Sequence, residues 1–410
     1  GIAGRLASWA EGRGAPGRPV VWLHGASAGE LAGAVPAVER LRDRGALHLV
    51  VSYFSPSAED ALPLLAPDAA EPLPPDAFGT CRRALRAAGP DVVVFAKNDL
   101  WPNFTRAAAD LGIPMALVNG VVSPGSSRLR LPARWLLRPA YRRLDRAGAA
   151  SEEDAGRLRE LGVRPPALRV TGDAAFDQAL ARARRARDDP ESPAARLRRI
   201  TGDGAPVLVA GSTWPEDEER LLRAAAGLAE RGRPIRLVVA PHEPDRGALD
   251  RIEDGCRELL GLDPLRWSEA DVGAGTEPGG GTGRGGTDRP VAVDVVGPLA
   301  ELYAAADVAW VGGGLGADGL HSVVEPAAAG VPVLFGPRST RREAEALRRE
   351  GGARAVAGEE LEAALSELVE RPELRRRMGE AARRTVEEGA GAAEASARLV
   401  AELLTGPTGS

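Results

Sequence analysis

The first half of the chain alternates two patterns of apolar residues. Short continuous runs (PVVWLHG, LHLVVSYF, DVVVFAK and IPMALVNGVV) are separated by stretches in which apolar positions recur every three or four residues, such as AGELAGAVPAVERLRDRG. A continuous run reads as a strand covered on both faces, the usual condition of a parallel sheet. The wider spacing reads as an amphipathic helix, and the glycine that closes the quoted stretch is a helix stop signal. Strand, helix and strand in succession is βαβ organisation.

The second half restarts the alternation. PVLVAGS, IRLVVAPH, AVDVVG, DVAWVGGG and PVLFGP read as strands, and EDEERLLRAAAGLAERG reads as a helix. Between the halves, ARARRARDDPESPAARLRRI is charged and carries Pro190 and Pro193, which marks an interdomain linker. A chain of 410 residues exceeds one ordinary core. The expected division is an N-terminal domain over 1–180, a linker over 181–200, a C-terminal domain over 201–395, and a helix end with a tail over 396–410. The Gly-rich segment 272–290 reads as a flexible surface insertion, and the final TGPTGS as disordered. The fold class predicted is α/β, with two Rossmann-like doubly wound sheets facing a central cleft and ligands at the carboxyl ends of the strands.

Charge and composition narrow the partners. A net charge of -5 argues against a broad nucleic-acid surface. Cys81 and Cys256 are far apart and outside any metal-ligand spacing, which excludes a disulfide framework and fits a reducing compartment. The four histidines form no HExxH pair. No apolar run reaches the roughly 18–20 residues of a membrane span. An anchor upstream of Gly1 stays open. RRALRAAG and SSRLRLPARWLLRPAYRR are Arg-rich; each reads as a solvated helix face, or as a patch for an anionic ligand or a membrane surface.

Four segments place polar residues just after a predicted strand. In WLHGASAGE, Ser27 lies in a tight turn and Glu30 in the first helical turn. A carboxylate there is favoured by the helix dipole, and it reads either as a helix-favouring acid or as a general base. In KNDLWPNF, Lys97 is the only lysine of the chain, and Asp99 reads either as its ion-pair partner or, with it, as part of an anion-handling site. In AGSTWPEDEE, Gly211, Ser212 and Thr213 end a strand, reading as an ordinary helix start or as a phosphate contact. The segment VGGGLGADGLHSVVEPAAAGVPVLFGP is the most specific. Its glycines, Gly313 and Gly319 among them, allow close approach of backbone to a ligand. GLHS is expected to open a helix whose free N–H groups bind an anion. The spacing of four is expected to put His321 and Glu325 on one helix face, with Glu325 accepting a ribose hydroxyl.

These segments together resemble the bacterial 3-deoxy-D-manno-octulosonic acid (Kdo) transferases of lipopolysaccharide assembly. WLHGASAGELAGAVP, LWPNF, VTGDAAFD, GST followed by acids, AADVAWVGGG and GLHSVVEPAAAGVPVLFGP match in order over nearly the whole chain. The resemblance implies a GT-B fold and an inverting, metal-independent transfer of Kdo from CMP-Kdo to a lipid A precursor, with no cofactor. It implies donor binding by the C-terminal domain through Gly211, Ser212, Thr213, His242, Gly313, Gly319, His321, Ser322 and Glu325. It implies acceptor binding by the N-terminal domain, to which we assign Ser27, Trp101 and Arg128. Ser27-Ala28-Gly29-Glu30 corresponds to the family's Ser-x-Gly-Glu, so Glu30 inherits the general-base role, with Lys97 and Asp99 beside it. The partners implied are CMP-Kdo, a lipid A precursor and the inner-membrane surface, at its cytoplasmic face, with no nucleic acid.

The chain departs from the family pattern at three places. Many members carry Glu-Thr-Glu where this chain has Lys97-Asn98-Asp99; a subset carries lysine there together with FSPS, present here as Phe54 to Ser57. Many read Pro-Arg-His-Pro where this chain has Pro241-His242-Glu243-Pro244, so an arginine expected near the CMP phosphate is missing, with Arg246 or Arg338 as substitutes. Gly-His-Asn becomes Leu320-His321-Ser322. These changes keep two alternatives open: a nucleotide-sugar 2-epimerase-like GT-B enzyme, and a catalytically silent sugar- or lipid-binding homologue.

Overall fold

The computed structural model describes residues 1–14, 17–73, 75–97, 99–270, 288–339 and 341–405. Asn98, 272–287 of the expected insertion and 406–410 of the expected tail lie outside the described residues. The chain forms two units: Gly1–Gln178 with Gly389–Ser410, and Ala179–Glu388.

The first unit contains β1 (Val20–His24), β2 (His48–Tyr53), β3 (Ala69–Pro72), β4 (Val92–Ala96), β5 (Met115–Gly120), β6 (Arg146–Ala149) and β7 (Leu168–Val170). All pairings are parallel, in the order β3-β2-β1-β4-β5-β6-β7. The pleat explains the continuous apolar runs. Trp22 and Phe95 point to one face, into a core with Phe104 and Tyr141. Leu23, Val51 and Val94 point to the other, against Leu31 and Val35 of the helix Ala28–Arg44. Each large side chain buried this way stabilises the sheet by roughly 1.5–3 kcal/mol. Order reverses between β1 and β4, which opens a crevice at their carboxyl ends.

The second unit contains β8 (Val207–Thr213), β9 (Arg236–Pro241), β10 (Leu265–Arg266), β11 (Val291–Ala292), β12 (Val308–Val311), β13 (Val333–Phe335) and β14 (Ala353–Ala355). They form a second parallel sheet in the order β10-β11-β9-β8-β12-β13-β14. Leu208, Trp310 and Leu334 face Leu221 and Leu228 of the helix Pro215–Glu230. Val209, Val238 and Ala309 face Leu197 and Tyr303. Here the order reverses between β8 and β12. Both sheets are therefore doubly wound, as the apolar runs predicted.

The expected boundaries need correction. The supposed linker is mostly helical, in Ala174–Asp188 and Pro193–Thr201, and the division between the units falls inside the first of these. Pro193 opens a helix instead of breaking one. Ser192 caps it, its Oγ accepting the Ala195 N–H at 3.2 Å, and proline at the first position forfeits no hydrogen bond. The chain also returns to the first unit at Gly389, not at a tail after 395. The terminal helix Ala392–Leu404 lies against Ala28–Arg44 and buries Ala397 and Val400 in the first unit's core. The strand expected over AVDVVG stops after Val291–Ala292, and Val296 is 86% exposed.

Candidate active site

In the first unit, functional side chains gather at the carboxyl ends of β1, β2, β4 and β5. Ser27 is the N-cap of Ala28–Arg44 but its hydroxyl makes no capping hydrogen bond. Glu30, third in the helix, reaches back: its Oε2 accepts the Ala26 N–H at 2.7 Å. This is half of a capping box, shifted by one residue. Among the described residues Oε1 has no hydrogen-bond partner, so one carboxylate oxygen is anchored and one is available.

Lys97 follows β4 with a left-handed backbone (φ 58°). Its N–H donates to the Val118 carbonyl at 2.9 Å. The ion pair with Asp99 does not form, because Asp99 is engaged elsewhere. Asp99 Oδ2 accepts the Trp101 Nε1–H at 2.9 Å and lies 3.4 Å from His24 Nε2; Oδ1 lies 3.6 Å from Arg128. Burial alone would raise the Asp99 carboxyl, but His24, Trp101 and Arg128 together hold it below the usual carboxylate range. Among the described residues, no hydrogen bond or ion pair engages the Lys97 ammonium. Trp101 is further packed under Phe54, with ring centroids 5.6 Å apart and Phe54 64% exposed. Arg128 thus reaches the site as a partner of Asp99.

His24 was not among the expected site residues. It is fully buried at the end of β1, with Nδ1 3.0 Å from both the carbonyl and the hydroxyl oxygen of Ser52, whose Oγ also accepts the Trp22 Nε1–H at 2.8 Å. The contact of His24 with Asp99 spans 75 positions of sequence, and only the pairing of β1 with β4 creates it.

In the second unit the corresponding crevice lies at the ends of β8 and β12. Gly211 is a packing glycine: a Cβ there would meet the Tyr303 hydroxyl and Leu299. Thr213 is buried and donates to Glu218 at 3.3 Å, so its hydroxyl is committed internally. Ser212, left-handed at φ 51°, keeps a hydroxyl with no partner among the described residues. Gly313 (φ 91°) folds the following turn so closely that a Cβ would strike the Gly319 carbonyl, whereas Gly319 opens onto free space.

Asp217, also outside the sequence expectation, organises this crevice. Its Oδ1 accepts the Trp310 Nε1–H at 3.1 Å, and its Oδ2 accepts the N–H groups of Trp214 and Gly313, each at 3.0 Å. Burial raises its carboxyl despite these three donors. The acidic run after GST was the available signal; which acid turns inward was not.

The helix expected from GLHS begins later. It spans only Val324–Ala328, so His321 and Ser322 precede it and do not share a helix face with Glu325. The reason is local: the His321 N–H is taken by the Gly312 carbonyl at 3.2 Å, which holds this segment extended against the turn. The helix-terminus anion site is corrected accordingly. Ser322 instead donates its hydroxyl to Glu325. His321 packs at a tilt on His242 (4.4 Å between ring centroids), and His242 stacks on Trp214 (4.9 Å). A cavity of about 700 Å³ opens beside His321, lined also by Asp318, Gly319, Arg338 and Arg341. Arg341, missed in the sequence, donates Nε–H to the Leu320 carbonyl. Arg246 points away, 95% exposed beside Asp250. Among the described residues no group of three or more His, Cys, Asp or Glu is placed to hold a metal ion.

Comparisons with known proteins bear on both units. Residues 2–178 match the family model described as 3-Deoxy-D-manno-octulosonic-acid transferase (kdotransferase). The 3-deoxy-D-manno-octulosonic acid transferase of Bordetella pertussis is 30% identical over 398 residues, 92% of this chain and 86% of that protein. The enzyme of the same name from Chlamydophila psittaci is 28% identical over 326 residues, 78% of this chain and 70% of its own. Among solved structures, UDP-GlcNAc 2-epimerase from Neisseria meningitidis bound to UDP-GlcNAc superposes with a TM-score of 0.66 at 14% identity, over 95% of this chain and 100% of that one. A glycosyltransferase from Rickettsia africae gives 0.58 at 12%, over 95% and 98%. These likenesses establish the GT-B fold and no more. With relatives of this identity and coverage in hand, the chain belongs to the 3-deoxy-D-manno-octulosonic acid transferase family of glycosyltransferases.

Proposed function

We propose that this chain transfers Kdo from CMP-Kdo to a lipid A precursor, with inversion and without a metal, and that Glu30 is the general base. The observation that carries the proposal is the Glu30 carboxylate, anchored through Oε2 to the Ala26 N–H with Oε1 left available at the sheet's reversal point. In this reading Oε1 takes the proton of the acceptor hydroxyl as its oxygen bonds to the anomeric carbon of Kdo. The bond from that carbon to the CMP phosphate breaks, and its electron pair leaves with the phosphate. Proton removal by a positioned carboxylate is worth ~10²–10⁴-fold. The developing charge on CMP falls to Arg338, Arg341 and His321 in the second unit, with Ser212 as a further hydroxyl donor. Arg338 and Arg341 then stand in for the family arginine absent before His242. Glu325, oriented by Ser322, accepts from the nucleotide sugar.

The Lys97 ammonium, without a partner among the described residues, suits an anionic group of the sugar or the acceptor. For the acceptor's lipid portion and the inner-membrane surface, the support comes from the segment after β5. Leu131 and Trp135 are each 71% exposed and Leu136 57%, between Arg128, Arg130, Arg134 and Arg138. Exposed apolar side chains interleaved along the chain with arginines fit an anionic lipid interface. Among the described residues no helix is long and apolar enough to cross a membrane.

The test is a transfer assay with CMP-Kdo and a tetra-acylated lipid A precursor, analysed by mass spectrometry. Glu30→Gln is expected to lower turnover by ~10²–10⁴-fold while CMP binding survives. Near-normal turnover in that variant would remove Glu30 from the role of base. Consumption of a UDP-sugar by epimerisation without acceptor would instead support the epimerase-like alternative.

A further inference from the structure

His321 occupies an unusual position for an imidazole. Its Nε2 is buried and has no hydrogen-bond partner among the described residues. One face of the ring is in contact with His242, and the Gly313 Cα hydrogen side approaches its edge. The ring borders the cavity that also holds Arg338 and Arg341. A buried ring nitrogen without a partner is costly, and it is retained beside two guanidinium groups that already favour an anion. We propose that this cavity takes up one proton together with the anionic phosphate of its ligand, and that the proton resides on His321. This rests on the donor-site reading above and deepens it.

The charges around His321 decide the direction. Burial, the neighbouring His242 and Arg341 all disfavour the imidazolium in the empty site, with Asp318 opposing them, and the net effect is to hold His321 below its ordinary value of 6.5. Arg338 adds a further positive charge from the segment after β13. From the helix Pro215–Glu230, Glu216 approaches the Gly316 turn, and Asp217 is consumed by three donors beneath Gly313. Glu325 is bonded to Ser322. None of these carboxylates forms an ion pair with His321 among the described residues. A phosphate entering the cavity reverses the balance: it pairs with the two guanidinium groups, cancels their repulsion, and its own negative charge favours the imidazolium of the bordering ring. Imidazole, a solvent proton and the phosphate become imidazolium and bound phosphate, with no bond broken.

The sign follows from linkage. Between the lowered value of the empty site and the raised value of the complex, binding consumes a proton, so affinity falls as pH rises. From about pH 6 to about pH 8, the range in which imidazoles titrate, CMP affinity of the whole chain is expected to weaken by up to about tenfold per pH unit, the limit for one coupled proton. Calorimetry in two buffers of different ionisation enthalpy reads the uptake directly. Titration of the nucleotide's own phosphate is common to every variant, so the His321 share is the difference between proteins. His321→Gln is expected to bind CMP with that share abolished, while His242→Gln still takes up a proton, in smaller amount because one of the groups that lowers His321 in the empty site is gone. If uptake is unchanged in His321→Gln, or is lost only in His242→Gln, the inference is overturned. If CMP fails to bind at any pH, the donor assignment fails instead; inorganic pyrophosphate then serves as the probe, and no His321-dependent uptake with it overturns the inference as well.

Discussion

Lys97 and Ser212 share an uncommon conformation at equivalent places. Each follows or ends a central strand and each is left-handed, with φ of 58° and 51°. A non-glycine residue pays about 1–2 kcal/mol for that backbone, and such residues concentrate where a side chain must be presented in one direction. The conformation separates two roles that a simple truncation would confuse. Lys97→Gly removes the ammonium and relaxes the backbone together. It is expected to unfold at no lower temperature than the parent, while transfer falls by about tenfold or more if the ammonium makes a charge-assisted contact in the reaction. Unchanged transfer would make Lys97 a bystander. Lys97→Arg refines this, since it keeps charge but alters shape. The placement of Glu30 in the first helical turn and of Lys97 just after a strand was legible in the sequence because their own neighbours announce it. His24, Asp217 and Arg341 were not, because each acquires its meaning from a residue brought close only by strand order or a distant turn.

Central strands were legible for a physical reason: buried on both faces, they must be apolar throughout. The sheet margins escaped the pattern. β3 reads AAEP, β6 RAGA and β14 ARA; partly exposed or closely packed on small residues, they need no apolar run. The short helix at Val324–Ala328 was misplaced for a related reason, since a backbone bond to Gly312 outweighs the local preference of GLHS. The helix Ala133–Arg142 is the element whose exposed face lacks an explanation in the fold itself. Its Trp135 and Leu136, with Leu131 before it, stand in solvent beside arginines. Trp135→Glu is expected to leave CMP binding intact and to weaken sedimentation with vesicles containing anionic lipid severalfold, through loss of apolar burial and added repulsion. Equal sedimentation of both proteins would exclude this face as the lipid contact.

At the scale of the whole molecule, the chain is not two beads on a string. The second unit, Ala179–Glu388, is inserted between two parts of the first. The terminal helix Ala392–Leu404 completes the first unit's core with Ala397 and Val400 and ties back through Glu402, which pairs with Arg146 at 3.0 Å and Arg169 at 2.7 Å. A cut at the charged stretch near residue 180, natural from the sequence, would therefore leave the first part with an uncovered apolar face. Residues 1–178 alone are expected to bind a hydrophobic dye and unfold at a clearly lower temperature, and addition of a peptide spanning 389–405 should restore part of the loss. A fragment as stable as the intact chain would contradict this. The same arrangement constrains birth of the protein. Domains generally fold in the order in which they leave the ribosome. Here the amino-terminal unit emerges first yet must wait for the last helix, so the inserted unit can finish folding before the unit that preceded it into the cell.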